Sequence, residues 1–369
     1  MSERSVVATL EELSASIPWD RAAEWDVSGL TLGDPHRTVR MAAVCHEVTA
    51  SVLEVLEQEP VDLLITYHPL LFRPVRSLLA GPGPEGLAFR LIRMGVALAV
   101  AHTAFDVCPG GAADALADAL GLGNVDGFGA METSSQIKVV TFVPSESTEE
   151  VAEAMAGAGG GRIGQYRGCS YRSEGVGAFL AEDGTDPAVG EVGEANRVAE
   201  VRLEMIAPAF RKDALATALV AAHPYEEAAY DIYPVSANLP LLGRVGTPSA
   251  PVSGLDFCER VAEALDVDAV RCRGVDEGPV GTVAVLPGAG GSFLSEGASA
   301  GADLVVTGDV SHHQMAQASH LGVGVIDPGH APTEAPGVAR LAELVAKVVP
   351  RTVDLSGLRP GPEVRVRRR

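Results

Sequence analysis

The chain is short of aromatic side chains, cysteine pairs, cations and long apolar runs, and each shortage removes a class of function. Phe, Trp and Tyr make up 5% of the 369 residues while apolar residues make up 47%, so the core is aliphatic and Ala-rich, as in α/β folds. Lys and Arg number 28 against 49 Asp and Glu, a formal charge of -21, which argues against electrostatic binding of nucleic acid. The one basic cluster, RVRRR at the C-terminus, reads as a solvated tail. Five cysteines, Cys45, Cys108, Cys169, Cys258 and Cys272, form no Cys-x-x-Cys pair, and their odd number points to a reducing compartment. None sits beside triad-like partners, and Cys108, two residues after Asp106, reads as a small packing residue. The opening MSERSVVATLEELSASIP has no apolar signal core, and no later run reaches the length of a membrane span. A soluble, cytoplasmic protein without a membrane partner is expected. Its length leaves room for two or three domains.

What is present is a device that occurs twice. Residues 96–122 read GVALAVAHTAFDVCPGGAADALADALG and residues 322–347 read GVGVIDPGHAPTEAPGVARLAELVAK. In each, an apolar β-branched run ends at a histidine followed four residues later by a carboxylate: His102 with Asp106, His330 with Glu334. Pro and Gly then punctuate the chain and a helical pattern begins. A second part repeats upstream, VDLLITYHPL at 61–70 against ADLVVTGDVSHH at 302–313. The pattern places His68, His102, Asp106, Asp309, His313, His330 and Glu334 at the ends of buried strands, where open α/β sheets put their chemistry. Imidazole and carboxylate without thiolate suit Zn, Fe, Mn or Co better than an all-oxygen Ca or Mg cage. Each residue alone also fits a satisfied strand-end histidine or a helix-capping acid; the repetition favours the metal reading.

In chain order, residues 6–16 predict an amphipathic helix, 40–45 a strand, and 49–58 a helix capped by Thr49. VDLLIT, a helix over 84–95 and ALAVAHT continue a βαβαβ rhythm that predicts a parallel sheet with right-handed crossovers. In WDVSGLTLGDP, Asp26, Ser28 and Gly29 fit either a close backbone approach to a ligand or a tight connection. Near residue 130 the pattern becomes strand-helix-strand twice over, the ferredoxin-like plan. This assigns 130–246 to an inserted domain and 1–129 with 247–369 to the core, LLGRVG returning the chain to it. The glycine run AGAGGGRIG lacks the Lys-Ser/Thr of a phosphate loop. His223, Glu226, Glu227 and Asp231 read as a solvated connection before a second metal site. GAGGS at 288–292 resembles a nucleotide-binding turn in composition only.

TYHPLLF, AHTAFDVCPGGAADALADALGL, VTGDVSHHQ and IDPGHAPTE together resemble the GTP cyclohydrolase I type 2 homologue family, the NIF-three-like dinuclear metal proteins, over nearly the whole chain. The resemblance implies a two-lobed α/β core with internal pseudo-duplication, a PII-like insert and a toroidal homohexamer. It also implies one or two divalent ions per subunit, with His68 and Asp106 on one, His330 on the other and Glu334 bridging. The family has His-His where this chain has Tyr67-His68, so Tyr67, a poor ligand at neutral pH, is expected to weaken one metal position. His313 keeps a family histidine, while Gln314 replaces an acid. The family name implies opening of the guanine ring of a nucleotide such as GTP by metal-activated water, with His102 and His313 as acid-base candidates. Two other readings stay open: a metal-binding regulatory protein whose PII-like insert senses a ligand, and a di-metal phosphoesterase.

Overall fold

Four-residue apolar strands that end in a polar group can be stable only where both faces are covered, since nothing in them alternates. The computed structural model describes residues 4–131, 136–163, 166–235 and 240–358 and places these strands in two sheets of one unit. The chain divides into Met1–Thr133 with Leu239–Arg369, and Ser134–Asn238.

In the larger unit the first sheet runs in the order Thr352–Leu355, Ala42–Cys45, Leu63–Thr66, Ala97–Val100, Gly29–Leu32. The first four strands are parallel neighbours and Gly29–Leu32 joins antiparallel at the edge. Every residue of Ala42–Cys45, Leu63–Thr66 and Ala97–Val100 is buried. The second sheet repeats the plan: Val283–Val285, Leu304–Val306 and Gly324–Asp327 are parallel, with Arg271–Arg273 antiparallel at the edge. Leu241–Pro248 and Leu122–Ala130 extend it on the other side. In both sheets, strands first, second and third in sequence lie side by side and a short antiparallel strand covers the third. This is the topological form of the repeat seen in the sequence.

Residues 241–246, assigned by pattern to the end of the insert, belong to the core sheet. Leu241 pairs with Ala130, and the Met131 amide donates to the Pro240 carbonyl at 2.9 Å. The core therefore closes across the two points where the chain leaves and returns, and backbone pairing sets the boundary rather than the composition shift.

One helix joins the two sheets. His330–Val348 starts at the end of the second sheet's Gly324–Asp327, yet its Val338, Leu341, Ala342 and Val345 share one buried cluster with Val44 and Ile65 of the first sheet and Phe105 of the short helix His102–Asp106. Gly337 allows the crossing, because a Cβ there would lie 2.6 Å from the Ala112 Cβ of the helix Ala112–Ala119. Pattern placed the helical stretch after the Pro-Gly punctuation; the helix instead begins at His330 and runs through Pro332 and Pro336. Proline in a first turn removes only amides that have no partner there, which is why Pro332 does not delay the start.

The smaller unit is an antiparallel sheet in the order Tyr230–Val235, Gln136–Pro144, Ala195–Pro208, Tyr171–Leu180, with helices Thr148–Gly157 and Lys212–Ala222. First and third strands in sequence sit centrally, the arrangement of a split strand-helix-strand pair. Val139, Val143, Met155, Leu203, Leu215 and Leu219 form its core. Among the described residues no helix is long and apolar enough to cross a membrane. The RVRRR terminus lies outside the described residues.

Candidate metal centre

Three adjacent parallel strands end in imidazole. His46 follows Ala42–Cys45, Tyr67 and His68 follow Leu63–Thr66, and His102 opens the short helix His102–Asp106 after Ala97–Val100. From the opposite side the first turns of His330–Val348 bring His330 and Glu334, whose spacing of four puts both on one helix face.

Glu334, 3% exposed, is the hub. Its Oε2 lies 2.7 Å from His46 Nε2 and 3.0 Å from His68 Nε2, and its Oε1 lies 3.0 Å from His330 Nε2. Burial pushes the Glu334 carboxyl up, but the bonds from His330, His46 and His68 overcome it and hold the group well below the usual carboxylate range. His330 moves the other way: its bond to Glu334 first, against burial, and then Asp309, whose Oδ2 is 2.7 Å from Nδ1, raise it to about 9. Gly288 makes room, since a Cβ there would stand 2.6 Å from Glu334 Oε1, and its amide donates to Thr333 Oγ1 at 2.8 Å. The glycine turn that resembled a nucleotide loop thus packs on the hub.

His46, His68 and Glu334 present ligand atoms within 4.8 Å of one another, the one such group among the described residues. A buried anion with three ring nitrogens trained on it requires a positive partner, which protonated imidazole or a divalent cation provides. His46 Nδ1 is also the one buried side-chain nitrogen or oxygen, among those described, with no hydrogen-bond partner. Two imidazoles and a carboxylate suit Zn, Fe, Mn or Co. The donor set fits the metal that the sequence implies.

The predicted residues separate into groups. His68, His330 and Glu334 come together. Asp106 lines the same cavity, but its carboxylate accepts the Tyr67 hydroxyl. Burial pushes Asp106 up to about 7, against the lowering by that hydroxyl and by His102. Tyr67, 1% exposed, turns its hydroxyl to Asp106, and burial, then the charges of Asp106 and Glu334, raise it well above its usual value. The imidazole beside His68 comes instead from His46, which sequence reading missed. The signal was there, since CHE after MAAV is another strand-end histidine, but it carries no acid four residues on and so fell outside the repeat.

His102 Nδ1 is 2.6 Å from Asp26 Oδ1. Asp26 also accepts from Ser28 Oγ at 3.0 Å, the Thr103 amide at 3.1 Å and the Thr103 hydroxyl. Burial opposes the charge on Asp26, but His102, the Thr103 hydroxyl and the Val27 amide, which donates at 2.7 Å, bring it to about 2. The turn at Asp26 therefore serves to orient His102. Non-glycine residues with positive φ include His102 at 30° and Asp309 at 55°; both belong to the site, where such backbone cost concentrates. His313 is exposed on the helix His312–Leu321 with its ring against His312 and does not line the cavity. A helix turn carries it away from the strand end that predicted it. His223 is engaged, its Nε2 3.0 Å from the Phe142 carbonyl and its Nδ1 accepting the Tyr225 amide.

The cavity, ≈ 850 Å³, is lined by His68, His102, Asp106, His330 and Glu334 on one side and by Trp25, Met131, Leu242, Leu286 and Phe293 on the other. Its size and mixed lining suit a small molecule.

The family model described as Duf34/NIF3 (NGG1p interacting factor 3) matches residues 1–358. A Bacillus subtilis protein named "GTP cyclohydrolase 1 type 2 homolog" is 37% identical over 329 residues, covering 89% of this chain and 87% of the relative. A Mycobacterium tuberculosis protein of the same name is 39% identical over 349 residues, covering 91% and 90%. The crystal structure of a "Bacillus cereus protein related to NIF3" shares 32% identity and a TM-score of 0.68, covering 99% of this chain and 100% of that one. By sequence and by fold, this chain belongs to the Duf34/NIF3 family.

Proposed function

We propose that this protein is a metal-dependent hydrolase that acts on a nucleotide such as GTP in the cavity over the strand ends. The observation that carries the reading is the convergence of His46, His68 and His330 on the buried Glu334 at the wall of a cavity of a size that suits a small molecule. The relatives' name, GTP cyclohydrolase 1 type 2 homolog, supports the choice of substrate.

His46, His68 and Glu334 would hold a divalent ion, with His330 and Asp106 available to a second. Such an ion, when bound, polarises an attacked carbonyl or phosphoryl oxygen and lowers the pKa of water. Glu334 fixes the imidazoles around it, so their orientation precedes substrate binding. His102, held at Nδ1 by Asp26, moves a proton at its other ring nitrogen as general acid-base. Trp25, Leu286 and Phe293 exclude water and receive the apolar face of the substrate. The reading includes a cytoplasmic homohexamer and a PII-like smaller unit, supported by the family resemblance and by that unit's strand order.

Metal analysis of the purified protein, followed by assay of the same sample against GTP and a panel of nucleotide phosphoesters, tests it. Ring opening that disappears in His102→Gln, with metal retained, is the expected result. Phosphate release from the panel would move the assignment to a phosphoesterase. A fully loaded protein inactive on both would leave a metal-binding regulatory protein and overturn the hydrolase.

A further inference from the structure

Outside the metal centre, two cysteines are in contact among the described residues, Cys258 and Cys272. Cys258 lies on the helix Gly254–Ala264 and Cys272 on Arg271–Arg273, the edge strand of the six-stranded sheet. Their Sγ atoms are 2.9 Å apart, inside ordinary nonbonded carbon separation of about 3.5–4.0 Å. A covalent S–S bond of about 2.05 Å needs the sulfurs to close by less than an ångström. Cys258 is buried beside Phe257 and Val261, which fixes its direction, whereas Cys272 is exposed. A cavity of ≈ 400 Å³, lined by Arg271, Cys272, Arg273, His312 and Met315, opens at Cys272 and admits a small oxidant.

We propose that Cys258 and Cys272 are a thiol–disulfide pair, oxidised by hydroperoxides at Cys272 and resolved by Cys258. In the first step the Cys272 thiolate attacks the terminal oxygen of the hydroperoxide; an S–O bond forms, the O–O bond breaks, and the departing oxygen takes the Cys258 proton. In the second, the Cys258 sulfur attacks the Cys272 sulfur; the S–S bond forms, the S–O bond breaks, and the departing hydroxide is protonated to water. Two thiols and one hydroperoxide become one disulfide, one alcohol (water, for hydrogen peroxide) and one water. The two electrons lost by sulfur reduce the peroxide bond.

The division of labour follows from position. The exposed sulfur meets the oxidant and the buried one, already in contact, resolves it before further oxidation. The bond from Cys258 lowers the Cys272 thiol, against burial, and raises its own. Burial pushes Cys45 and Cys108 up to about 12 and keeps them unreactive. The half-buried Cys169 serves as an internal control.

The test exposes the reduced full-length protein to about one to ten equivalents of hydrogen peroxide and follows intact mass and peptide maps. A loss of about 2 Da, a peptide joining Cys258 to Cys272 and full reversal by a thiol reductant are expected. Cys258→Ala should instead accumulate a dimedone-reactive sulfenic acid at Cys272, and Cys272→Ser should do neither. Free thiols at both positions after treatment, sulfinic acid at Cys272 in the unaltered protein, or cross-links only between chains would overturn the proposal.

Discussion

The two copies of His-x-x-x-acid share a backbone plan and differ in charge. His102 with Asp106 and His330 with Glu334 both open a helix at the end of a buried parallel strand, and each histidine has Nδ1 held by an aspartate, Asp26 at 2.6 Å and Asp309 at 2.7 Å. Yet Asp106 is pushed up to about 7, while Glu334 is held well below the usual range. Burial acts on both. The difference is the company: Asp106 meets one phenol, whereas Glu334 meets three imidazoles. Spacing decides where an acid goes, and neighbours from other strands decide its charge.

Glu334→Gln breaks the comparison most severely. It keeps the shape but removes the anion, and metal affinity should fall by more than about 100-fold, read by calorimetry on metal-free protein, with circular dichroism confirming the fold. His46→Ala should cost about 10–100-fold in the same titration; unchanged affinity would show that His46 only packs against Tyr67.

Tyr67→His sharpens it from the other copy. It gives Asp106 an imidazole partner like those of Glu334, and binding of a second metal equivalent should tighten by about 10-fold. Two equal, tight sites in the unaltered protein would refute the weakness assigned to Tyr67.

The pH dependence of metal-free protein isolates His330. Its folded pKa, about 9, lies above the ordinary 6.5, so its stabilisation is fully present below about 6.5 and is lost as pH rises through about 9. For a side chain 33% exposed, solvent screening reduces this to about 1–2 kcal/mol. Denaturant midpoints at pH 6 and 9.5 for the unaltered protein and for His330→Gln check it, the variant showing the smaller drop. His313→Ala, at an exposed position outside the cavity, should leave metal affinity unchanged and shift stability by less than about 0.5 kcal/mol.

Much of the fold was legible because its signals are local. The three apolar residues of Leu63–Thr66 and the four of Ala97–Val100 require coverage on both faces, Thr49 caps the helix at Ala50, its Oγ1 accepting the Val52 amide, and Gly95 at φ 69° ends Pro84–Met94. The repeat then located His68, His102, His330 and Glu334. It also pointed to His313, which lies exposed on the helix His312–Leu321, one helix turn past the strand end and outside the cavity lining.

What the chain alone determined, therefore, is the set of strand ends and the spacing of four that puts each histidine and its acid on one face. Only the tertiary structure decided which groups meet. His46 and Glu334 are 288 positions apart, and His68 and Glu334 266. They converge because His330–Val348 starts on one sheet and buries its apolar stripe in the other. The same holds for Asp26 beneath His102 and for Cys258 against Cys272, 14 positions away across a helix and an edge strand. A side chain's type and local period are properties of the sequence. Its partner, and with it its charge, follows from packing between elements that no local period connects.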